Sequence, residues 1–310
     1  MTGPPPGLRI AITGSTGLLG TALVAALQAG GQRVTRLVRR ASAGPDQISW
    51  DPRAPGGGIA PGALDGLDAV IHLAGAGVAD HRWTPAYQQE IRASRVMGTR
   101  ALAAALAAAG PRPAVLLAGS AIGWYGDTGG REVDESAPAG QGFLADVVRD
   151  WEAAAQPARQ AGIRVVNMRT GIVFTRQGGV LARMLPPFRL GLGSRLGSGR
   201  QVTSWIALPD YLGAVQFLLA RTDMAGPVNL TTPHPVTNAE LTRALAAAVN
   251  RPALLTVPAL ALRLALGGVT SDLLSSARVL PRRLTEAGYQ FQFPELPAAL
   301  AAELAAPPAA

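Results

Sequence analysis

A glycine-rich segment near the start of the chain constrains the fold more than any other feature. An apolar run, Leu8–Thr13, precedes the segment TGSTGLLG, and a helical pattern, Leu18–Ala29, follows it. The spacing G-x-x-G-x-x-G between a strand and a helix allows a tight turn, a close approach of a pyrophosphate to the backbone, and close packing of the helix on the sheet. The N–H groups that begin the helix then face the phosphates. We therefore predict dinucleotide binding by Gly14, Ser15, Thr16, Gly17, Leu18, Leu19 and Gly20.

Apolar strands alternate with helices through the first half of the chain. Strand patterns occur at residues 33–38, 69–73, 114–118 and 163–168, and helical patterns occur at residues 85–109 and 143–161. This alternation predicts an α/β fold, a Rossmann-type doubly wound parallel sheet with helices on both faces. After Arg169 the alternation stops and glycines become frequent, which predicts a smaller, mainly C-terminal region that caps the substrate.

The predicted domain limits follow from these patterns. Residues 8–250 are expected to form the nucleotide-binding domain, with residues 171–205 contributing to the substrate region. Residues 251–304 are expected to form a small helical domain, and residues 305–310 a frayed tail. Within the small domain, the apolar stretch Leu254–Val269 contains Pro258 and Arg263. It is too short to span a bilayer, and we expect a buried or interfacial helix.

The second predicted strand ends in two arginines, Arg39 and Arg40. A site that prefers NAD usually has an acidic residue there, which binds the ribose 2′-hydroxyl. A carboxylate repels a 2′-phosphate, whereas a guanidinium binds it through paired hydrogen bonds. The sequence therefore predicts NADP(H) as the cofactor, and the alternative is a solvated strand end without a ligand.

The composition excludes several classes of chemistry. All 28 basic residues are arginine, so Schiff-base formation and any tyrosine–lysine pair are excluded. Cysteine is absent, which excludes disulfides and thiolate ligands. With only three histidines, we expect no metal site. The net charge is +8, but the arginines are dispersed, so we expect no nucleic-acid partner. The first residues, MTGPPPG, do not resemble a signal peptide, and we expect a cytoplasmic protein without membrane contact.

Several further motifs resemble the extended short-chain dehydrogenase/reductase superfamily. Within it, the chain is similar to the epimerase-like family that carries a C-terminal domain of unknown function. The motifs are TGSTGLLG, AVIHLAG, SAIGWYG, VDESAP, DHRWT, SRVMGT, RTGIVF, MLPPFRLGLG, GSGRQ, SWIALPD and LPRRLTEAGYQF. The resemblance implies a Rossmann-type NADP(H) domain in which Leu73, Ala74 and Gly75 line the adenine-ribose side. It also implies that Ser120 lies near the nicotinamide, with Arg169–Ile172 close to it.

The usual catalytic set of this superfamily is a serine, a tyrosine and a lysine four residues after the tyrosine. Here the expected helix reads FLADVVR, without a tyrosine, and the chain has no lysine. The remaining candidates are Ser120 and Tyr125. Ser120 either handles a proton or only bonds the cofactor or backbone, since alignment on Tyr125-Gly126 places Ala121 at the usual serine position. Tyr125 either donates a proton or packs at the edge of the sheet.

Arginines and tryptophans in predicted loops are the candidate substrate residues. They are Arg82, Trp83, Arg95, Arg200 and Trp205. Arg82 and Trp83 either hold an anionic group beside a ring or form a surface stack. Arg95 either pairs with Glu90 or points into the pocket. We expect Asp210 to cap a helix and His72 to be a core histidine with satisfied hydrogen bonds.

Two functions remain open from the sequence. The first is an NADP(H)-dependent oxidoreductase or epimerase-like enzyme that acts on a small, anionic or sugar-type substrate without the tyrosine–lysine pair. The second is a catalytically silent NADP(H)-binding protein that reports the redox state of the cofactor to a partner. The retained glycine turn and the arginines favour the first, and the missing pair favours the second. The sequence does not indicate an oligomeric state.

Overall fold

The structure is a computed structural model that describes residues 3–42, 44–258, 260–261 and 275–305. In chain order the strands are β1 Arg9–Thr13, β2 Arg33–Val38, β3 Gln47–Ser49, β4 Ala69–His72, β5 Val115–Ala121, β6 Glu132–Val133, β7 Arg164–Thr170, β8 Ile172–Phe174, β9 Ser194–Leu196, β10 Val202–Thr203, β11 Trp205–Ala207, β12 Gly226–Leu230, β13 Val236–Thr237, β14 Leu255–Val257 and β15 Arg278–Val279. The helices are α1 Leu18–Ala29, α2 Pro85–Ala108, α3 Phe143–Ala153, α4 Gln156–Gln160, α5 Gly179–Arg189, α6 Leu208–Ala220, α7 Asn238–Ala248, α8 Arg282–Glu286 and α9 Leu296–Ala305. Short 3₁₀ helices lie at Pro55–Gly58 and Ile122–Tyr125.

The chain forms two compact units and passes repeatedly from one to the other. The first unit contains residues 3–121, 146–169 and 212–228. The second contains residues 122–145 and 170–211, together with the described residues from 229 onward. The predicted limits at residues 250 and 304 stay a prediction.

The first unit is built on a seven-stranded sheet with the order β12-β7-β5-β4-β1-β2-β3. The neighbouring pairs from β5 to β3 are parallel. Strand order reverses at β1, which lies between β2 and β4, and ligands of open α/β sheets bind at such a switch point. The predicted Rossmann-type α/β fold is confirmed.

Burial explains why the strands of this sheet read as continuous apolar runs. Residues 10–12 of β1 and residues 70–71 of β4 are fully buried, as parallel strands covered on both faces require. On one face, Leu102 and Leu106 of α2 pack with Val70 and Leu116 of the sheet. Helix α2 begins at Pro85 because the Thr84 hydroxyl accepts a hydrogen bond from the Tyr87 N–H.

Three local predictions differ from the structure. The helix predicted over residues 143–161 is divided into α3 and α4, and Pro157 lies in the first turn of α4, where it cannot continue a preceding helix. Strand β3 lies in the Pro/Gly-rich stretch 44–62, whose composition predicts an irregular connection. Helix α5 was not predicted, since Pro186 and Pro187 within it disrupt the helical signal.

The second unit has its own apolar core and several two-stranded ladders. Phe174, Trp205, Leu241 and Leu300 belong to one buried cluster. The segment around β15 is joined to earlier parts of the unit by hydrogen bonds, for example from the Ser204 hydroxyl to the Ala277 carbonyl at 2.7 Å. The helix predicted over residues 254–269 was wrong at its beginning, where Leu255–Val257 forms strand β14. Most of the rest of that stretch and residues 306–310 of the predicted tail lie outside the described residues.

Within the described ranges, no helix is both long enough and apolar enough to cross a membrane.

Candidate functional site

The glycine turn lies at the switch point of the first unit, between the carboxyl ends of β1 and β4. Gly14 has a φ of 69°, in the left-handed region that favours glycine. A Cβ atom on Gly14 would lie 2.8 Å from the carbonyl carbon of Leu73, so the turn contacts the backbone that follows β4. The structure therefore brings the predicted residues Gly14, Leu73 and Ala74 together, as a nucleotide site at this switch point requires.

Helix α1 begins at this turn with an open N-terminus. Gly17 is the N-cap residue, and no side chain caps the helix. The N–H groups of Leu18 and Leu19 have no acceptor in the described part of the chain. A Cβ on Gly20 would lie 2.1 Å from the Gly14 carbonyl oxygen, so only glycine permits this close packing. Unsatisfied N–H groups at a helix N-terminus bind anions, so the turn fits a pyrophosphate.

Arg39 and Arg40 follow β2, and both side chains are exposed. Neither has an acidic partner among the residues that the structure describes. The Ser49 side chain forms hydrogen bonds with the backbone of Arg40 and Ser42. Ser49 donates a hydrogen bond to the Arg40 carbonyl oxygen at 2.9 Å, and the Ser42 N–H donates to the Ser49 hydroxyl at 2.8 Å. The two guanidinium groups therefore belong to exposed residues at the end of β2, where a 2′-phosphate binds in this fold.

A buried polar network connects β5, α3 and β7 of the first unit. Ser120 donates a hydrogen bond to Glu152 Oε1 at 2.6 Å. Arg169 binds the same carboxylate through two parallel hydrogen bonds, from Nε to Oε1 at 2.8 Å and from Nη2 to Oε2 at 3.0 Å. All three side chains are less than 10% exposed. The predicted residues Ser120 and Arg169 are therefore joined by Glu152, which sequence reasoning missed.

A second network in the other unit holds Tyr125. Its hydroxyl donates to Asn229 Oδ1 at 2.8 Å, and the Asn229 amide donates to the Leu280 carbonyl oxygen. Glu135 accepts from the Asn229 N–H at 2.9 Å, and burial raises the pKa of this carboxyl despite that bond. Since Tyr125 is only 4% exposed, its contacts support the packing alternative, whereas its catalytic role stays a prediction.

His72 lies at the end of β4, next to the glycine turn. The Thr13 hydroxyl accepts hydrogen bonds from the Leu73 and Ala74 N–H groups, so its proton is donated to His72 Nδ1 at 2.7 Å. This assigns the neutral tautomer with the proton on Nε2. His72 Nε2 is buried without a partner, and burial lowers the pKa of the ring to about 4. The expectation of a fully satisfied core histidine was therefore wrong for one of its two nitrogens.

The loop after β4 places Arg82 and Trp83 differently. Trp83 is partly buried, and its Nε1 donates to the Val78 carbonyl oxygen at 2.8 Å. Arg82 is exposed and lines a shallow depression of about 420 Å³ together with His81, Thr84, Ala86 and Tyr87. The depression has basic and aromatic walls, which suit an anionic group, and the substrate role of Arg82 and Trp83 stays a prediction.

Arg95 does not pair with Glu90. The Glu90 carboxylate is bound by Arg53 at 3.1 Å, whereas Arg95 Nη1 donates to the carbonyl oxygens of Ala76 and Ile91. The guanidinium carbon of Arg95 lies 5.0 Å from the centre of the Trp151 ring. Arg95 thus packs on the turn after β4, in the same unit as the nucleotide turn.

The remaining candidates lie in the second unit. Arg200 is exposed in the glycine-rich turn before β10. Trp205 is fully buried and stacked on Phe174 with ring centres 5.5 Å apart, so it packs the core of the unit. Asp210 does not cap the helix in which it lies. Its two carboxylate oxygens accept the N–H groups of Gln292 and Phe293, which ties the end of the chain to α6.

The family model of NAD dependent epimerases and dehydratases matches residues 10–230. The chain belongs to the NAD dependent epimerase/dehydratase family. A second model, for a domain of unknown function (DUF1731), matches residues 257–303. The resemblance predicted from the motifs is therefore confirmed, including its C-terminal domain.

Several relatives and solved structures are similar to this epimerase family chain over more than 90% of its length. The epimerase family protein Mb2239 of Mycobacterium bovis is 50% identical over 283 residues, which cover 91% of this chain and 93% of the relative. The crystal structure of human epimerase family protein SDR39U1 with NADPH matches with a TM-score of 0.86 and 34% identity, covering 95% of this chain and 98% of that one. A nucleoside-diphosphate sugar epimerase from Corynebacterium glutamicum matches with a TM-score of 0.78 and 36% identity, covering 96% of this chain and 58% of that one.

The described part of this epimerase family chain contains no candidate metal-binding site. No group of three or more histidine and acidic side chains is placed there to hold an ion.

Proposed function

We propose that this chain is an NADP(H)-dependent oxidoreductase or epimerase-like enzyme. The observation that carries the proposal is the open N-terminus of α1 at the switch point, behind a glycine turn that admits no Cβ at Gly14 or Gly20. The crystal structure of the human relative SDR39U1 contains NADPH, and it shares the fold along 95% of this chain. When bound, NADP(H) supplies the hydride and the protein orients the reacting groups.

The preference for the phosphorylated cofactor is assigned to Arg39 and Arg40. Both are exposed, and in the described ranges neither is neutralised by a carboxylate. Guanidinium groups bind a 2′-phosphate through charge-assisted hydrogen bonds. An unphosphorylated ribose has no charged oxygen to accept such bonds. Leu73, Ala74 and Gly75 would line the adenine-ribose side, since their backbone follows β4 beside Gly14.

The substrate we propose is a small molecule that is anionic or sugar-like. Residues 171–205 contain five arginines and no acidic residue, which gives this segment a uniformly positive charge. A positive surface attracts and orients anionic ligands. The relative from Corynebacterium glutamicum is described as a nucleoside-diphosphate sugar epimerase, in agreement with a ligand of this chemistry. We propose that the enzyme works in the cytoplasm, where NADP(H) and such metabolites are available.

A catalytically silent NADP(H)-binding protein is the second candidate. The chain has no lysine and no tyrosine in α3. The Ser120 proton is held by Glu152, and the Tyr125 proton is held by Asn229. A protein of this kind would bind the cofactor tightly without turnover and would report its redox state to a partner.

Calorimetric titration with NADPH, and with NADH for comparison, tests the cofactor. We expect NADPH to bind at least tenfold more tightly. Arg39→Glu is expected to remove this preference, because a carboxylate repels the 2′-phosphate. Arg100→Gln, which removes one exposed positive charge from α2, is the matched control and should bind as the wild type does. Equal losses of NADPH and NADH affinity in Arg39→Glu would contradict the assignment.

Oxidation of NADPH with pooled carbonyl metabolites then separates the two candidate functions. Turnover that Ser120→Ala lowers without weakening NADPH binding supports the enzyme. Tight NADPH binding without turnover, together with a protein partner recovered in one redox state only, supports the silent cofactor-binding protein.

A further inference from the structure

Arg95 on α2 lacks an acidic counter-ion in the described part of the chain, although it is partly buried. Three carboxylates on α2 and α3 are bound by other arginines. Arg53 binds Glu90, Arg92 binds Asp150 and Arg169 binds Glu152. Removing a charge from water without an opposite charge is costly, so a structural reason or a ligand is required.

The contacts of Arg95 use only one of its three nitrogens. Nη1 donates to the Ala76 carbonyl oxygen at 2.9 Å and to the Ile91 carbonyl oxygen at 3.1 Å. Nε and Nη2 have no acceptor within the described ranges. Neither is among the fully buried atoms without a partner, so both keep access to solvent. The open edge is the one with which arginine binds a carboxylate or a phosphate through two parallel hydrogen bonds.

The position of the guanidinium group is fixed before any ligand arrives. It lies against the Trp151 ring, and the Trp151 Nε1 donates to the Thr99 hydroxyl at 2.9 Å, which holds the ring in place. A Cβ on Gly75 would lie 3.3 Å from the Arg95 side chain, so this arginine contacts the turn that follows β4. An arginine held in this way loses little conformational entropy when it binds an anion.

We propose that the Nε–Nη2 edge of Arg95 is an oxyanion site that holds a carboxylate or phosphate group of the substrate at the carboxyl end of β4. This proposal deepens the proposed function and rests on it, because it gives the substrate an anionic group and names the residue that binds it. Burial also lowers the pKa of the Arg95 guanidinium, with the nearby Tyr87 phenol acting in the opposite direction, and an anion at the open edge would offset this effect.

The test is a titration of the protein with inorganic phosphate and, separately, with sodium acetate, at matched ionic strength with sodium chloride. The midpoint of thermal unfolding is followed, since a ligand that binds the folded state raises it. The titration is run without cofactor and with saturating NADPH, which occupies the sites for the phosphates of the cofactor. The two anions distinguish a phosphate site from a carboxylate site.

We expect Arg95→Gln to raise the half-saturating concentration of the bound anion at least tenfold. Arg95→Lys keeps the positive charge but cannot form two parallel hydrogen bonds, so we expect anion binding weaker than in the wild type and stronger than in Arg95→Gln. Arg95→Lys also serves as a second variant if Arg95→Gln does not fold. Arg100→Gln, on the same helix, should leave the titration unchanged. NADPH affinity should change less than twofold in every variant.

Two results would overturn the proposal. The first is equal anion binding by the wild type and Arg95→Gln. The second is a tenfold loss of NADPH affinity in Arg95→Gln, which would assign the arginine to the pyrophosphate of the cofactor. If the wild-type protein did not bind NADPH, the proposed function would fail, and the titration without cofactor would still decide whether Arg95 binds an anion.

Discussion

The Ser120 hydroxyl donates its proton to Glu152 Oε1 across 2.6 Å in the interior of the first unit. The hydroxyl that the family resemblance predicts to lie near the nicotinamide is therefore oriented by a carboxylate from α3, and this carboxylate is itself neutralised by Arg169. In this arrangement Ser120 accepts a hydrogen bond from a ligand more readily than it donates one. The chain thus lacks the tyrosine–lysine pair on α3 but has a serine on β5 that is bound to a buried ion pair.

Substitution of Ser120 and substitution of Glu152 are expected to lower the free energy of unfolding by different amounts. Ser120→Ala deletes one hydrogen bond to a charged group and should lower the free energy of unfolding by about 1.5–3 kcal/mol. Glu152→Gln leaves Arg169 buried without a counter-charge and should cost about 3–5 kcal/mol. Chemical denaturation measures both, with Glu132→Gln at an exposed position as the control, for which we expect less than about 0.5 kcal/mol. An equal cost for Ser120→Ala and Glu152→Gln would contradict the dependence of Arg169 on this carboxylate.

Two glycines of the nucleotide turn separate folding from cofactor binding. A Cβ on Gly20 would lie 2.1 Å from the Gly14 carbonyl oxygen, so Gly20→Ala should lower the unfolding free energy by about 2 kcal/mol or more. The nearest atom to a Cβ on Gly17 lies at 3.4 Å, and the φ of Gly17 is −78°, which alanine adopts. Gly17→Ala should therefore fold normally but bind NADPH at least tenfold more weakly, because its methyl group occupies the approach of the pyrophosphate.

Thermal unfolding and calorimetry of the two variants test this division. Gly3→Ala is the matched control, since a Cβ there meets no atom within 4 Å. Unchanged NADPH affinity in a folded Gly17→Ala protein would show that no pyrophosphate approaches this turn.

The Tyr125 hydroxyl is expected to stabilise the second unit. Tyr125→Phe leaves Asn229 Oδ1 buried without its donor, and an unsatisfied buried acceptor costs about 1–3 kcal/mol. We expect this loss in denaturant unfolding, together with unchanged NADPH affinity and unchanged turnover. If turnover falls at least a hundredfold while stability is kept, the tyrosine is a proton donor instead, and the packing interpretation is wrong.

The parallel sheet and the cofactor turn were predictable because their signals are local. Apolar runs covered on both faces define β1, β4 and β5, and glycine spacing defines the turn. Strand β3 was not predictable, because three partly buried residues within a Pro/Gly-rich stretch carry no clear pattern. Helix α5 was missed for a different reason, since Pro186 and Pro187 lie within it and proline usually ends a helical pattern.

The polar contacts of the candidate site depend on tertiary structure. Glu152 is one of three acidic residues on α3, and nothing local indicates that it binds both Ser120 and Arg169. Glu90 lies five residues before Arg95 on α2, outside the i, i+3 and i, i+4 spacings that bring helical side chains together. Arg53, which is distant in sequence, binds its carboxylate instead. The sequence position of Asp210 predicts a helix cap. Its carboxylate oxygens instead accept hydrogen bonds from the N–H groups of Gln292 and Phe293, more than 80 residues away.

The buried His72 ring makes the stability of the first unit depend on pH. Its pKa is about 4 in the folded protein and 6.5 when unfolded, so between these values the unfolded state binds more protons. Stability from this group is therefore complete above pH 6.5 and falls as the pH decreases towards 4, by about 3 kcal/mol in total. His72→Gln, which does not titrate, should remove this part of the pH dependence, measured by denaturant unfolding from pH 7 to pH 4. Identical profiles for His72→Gln and the wild type would contradict the low pKa.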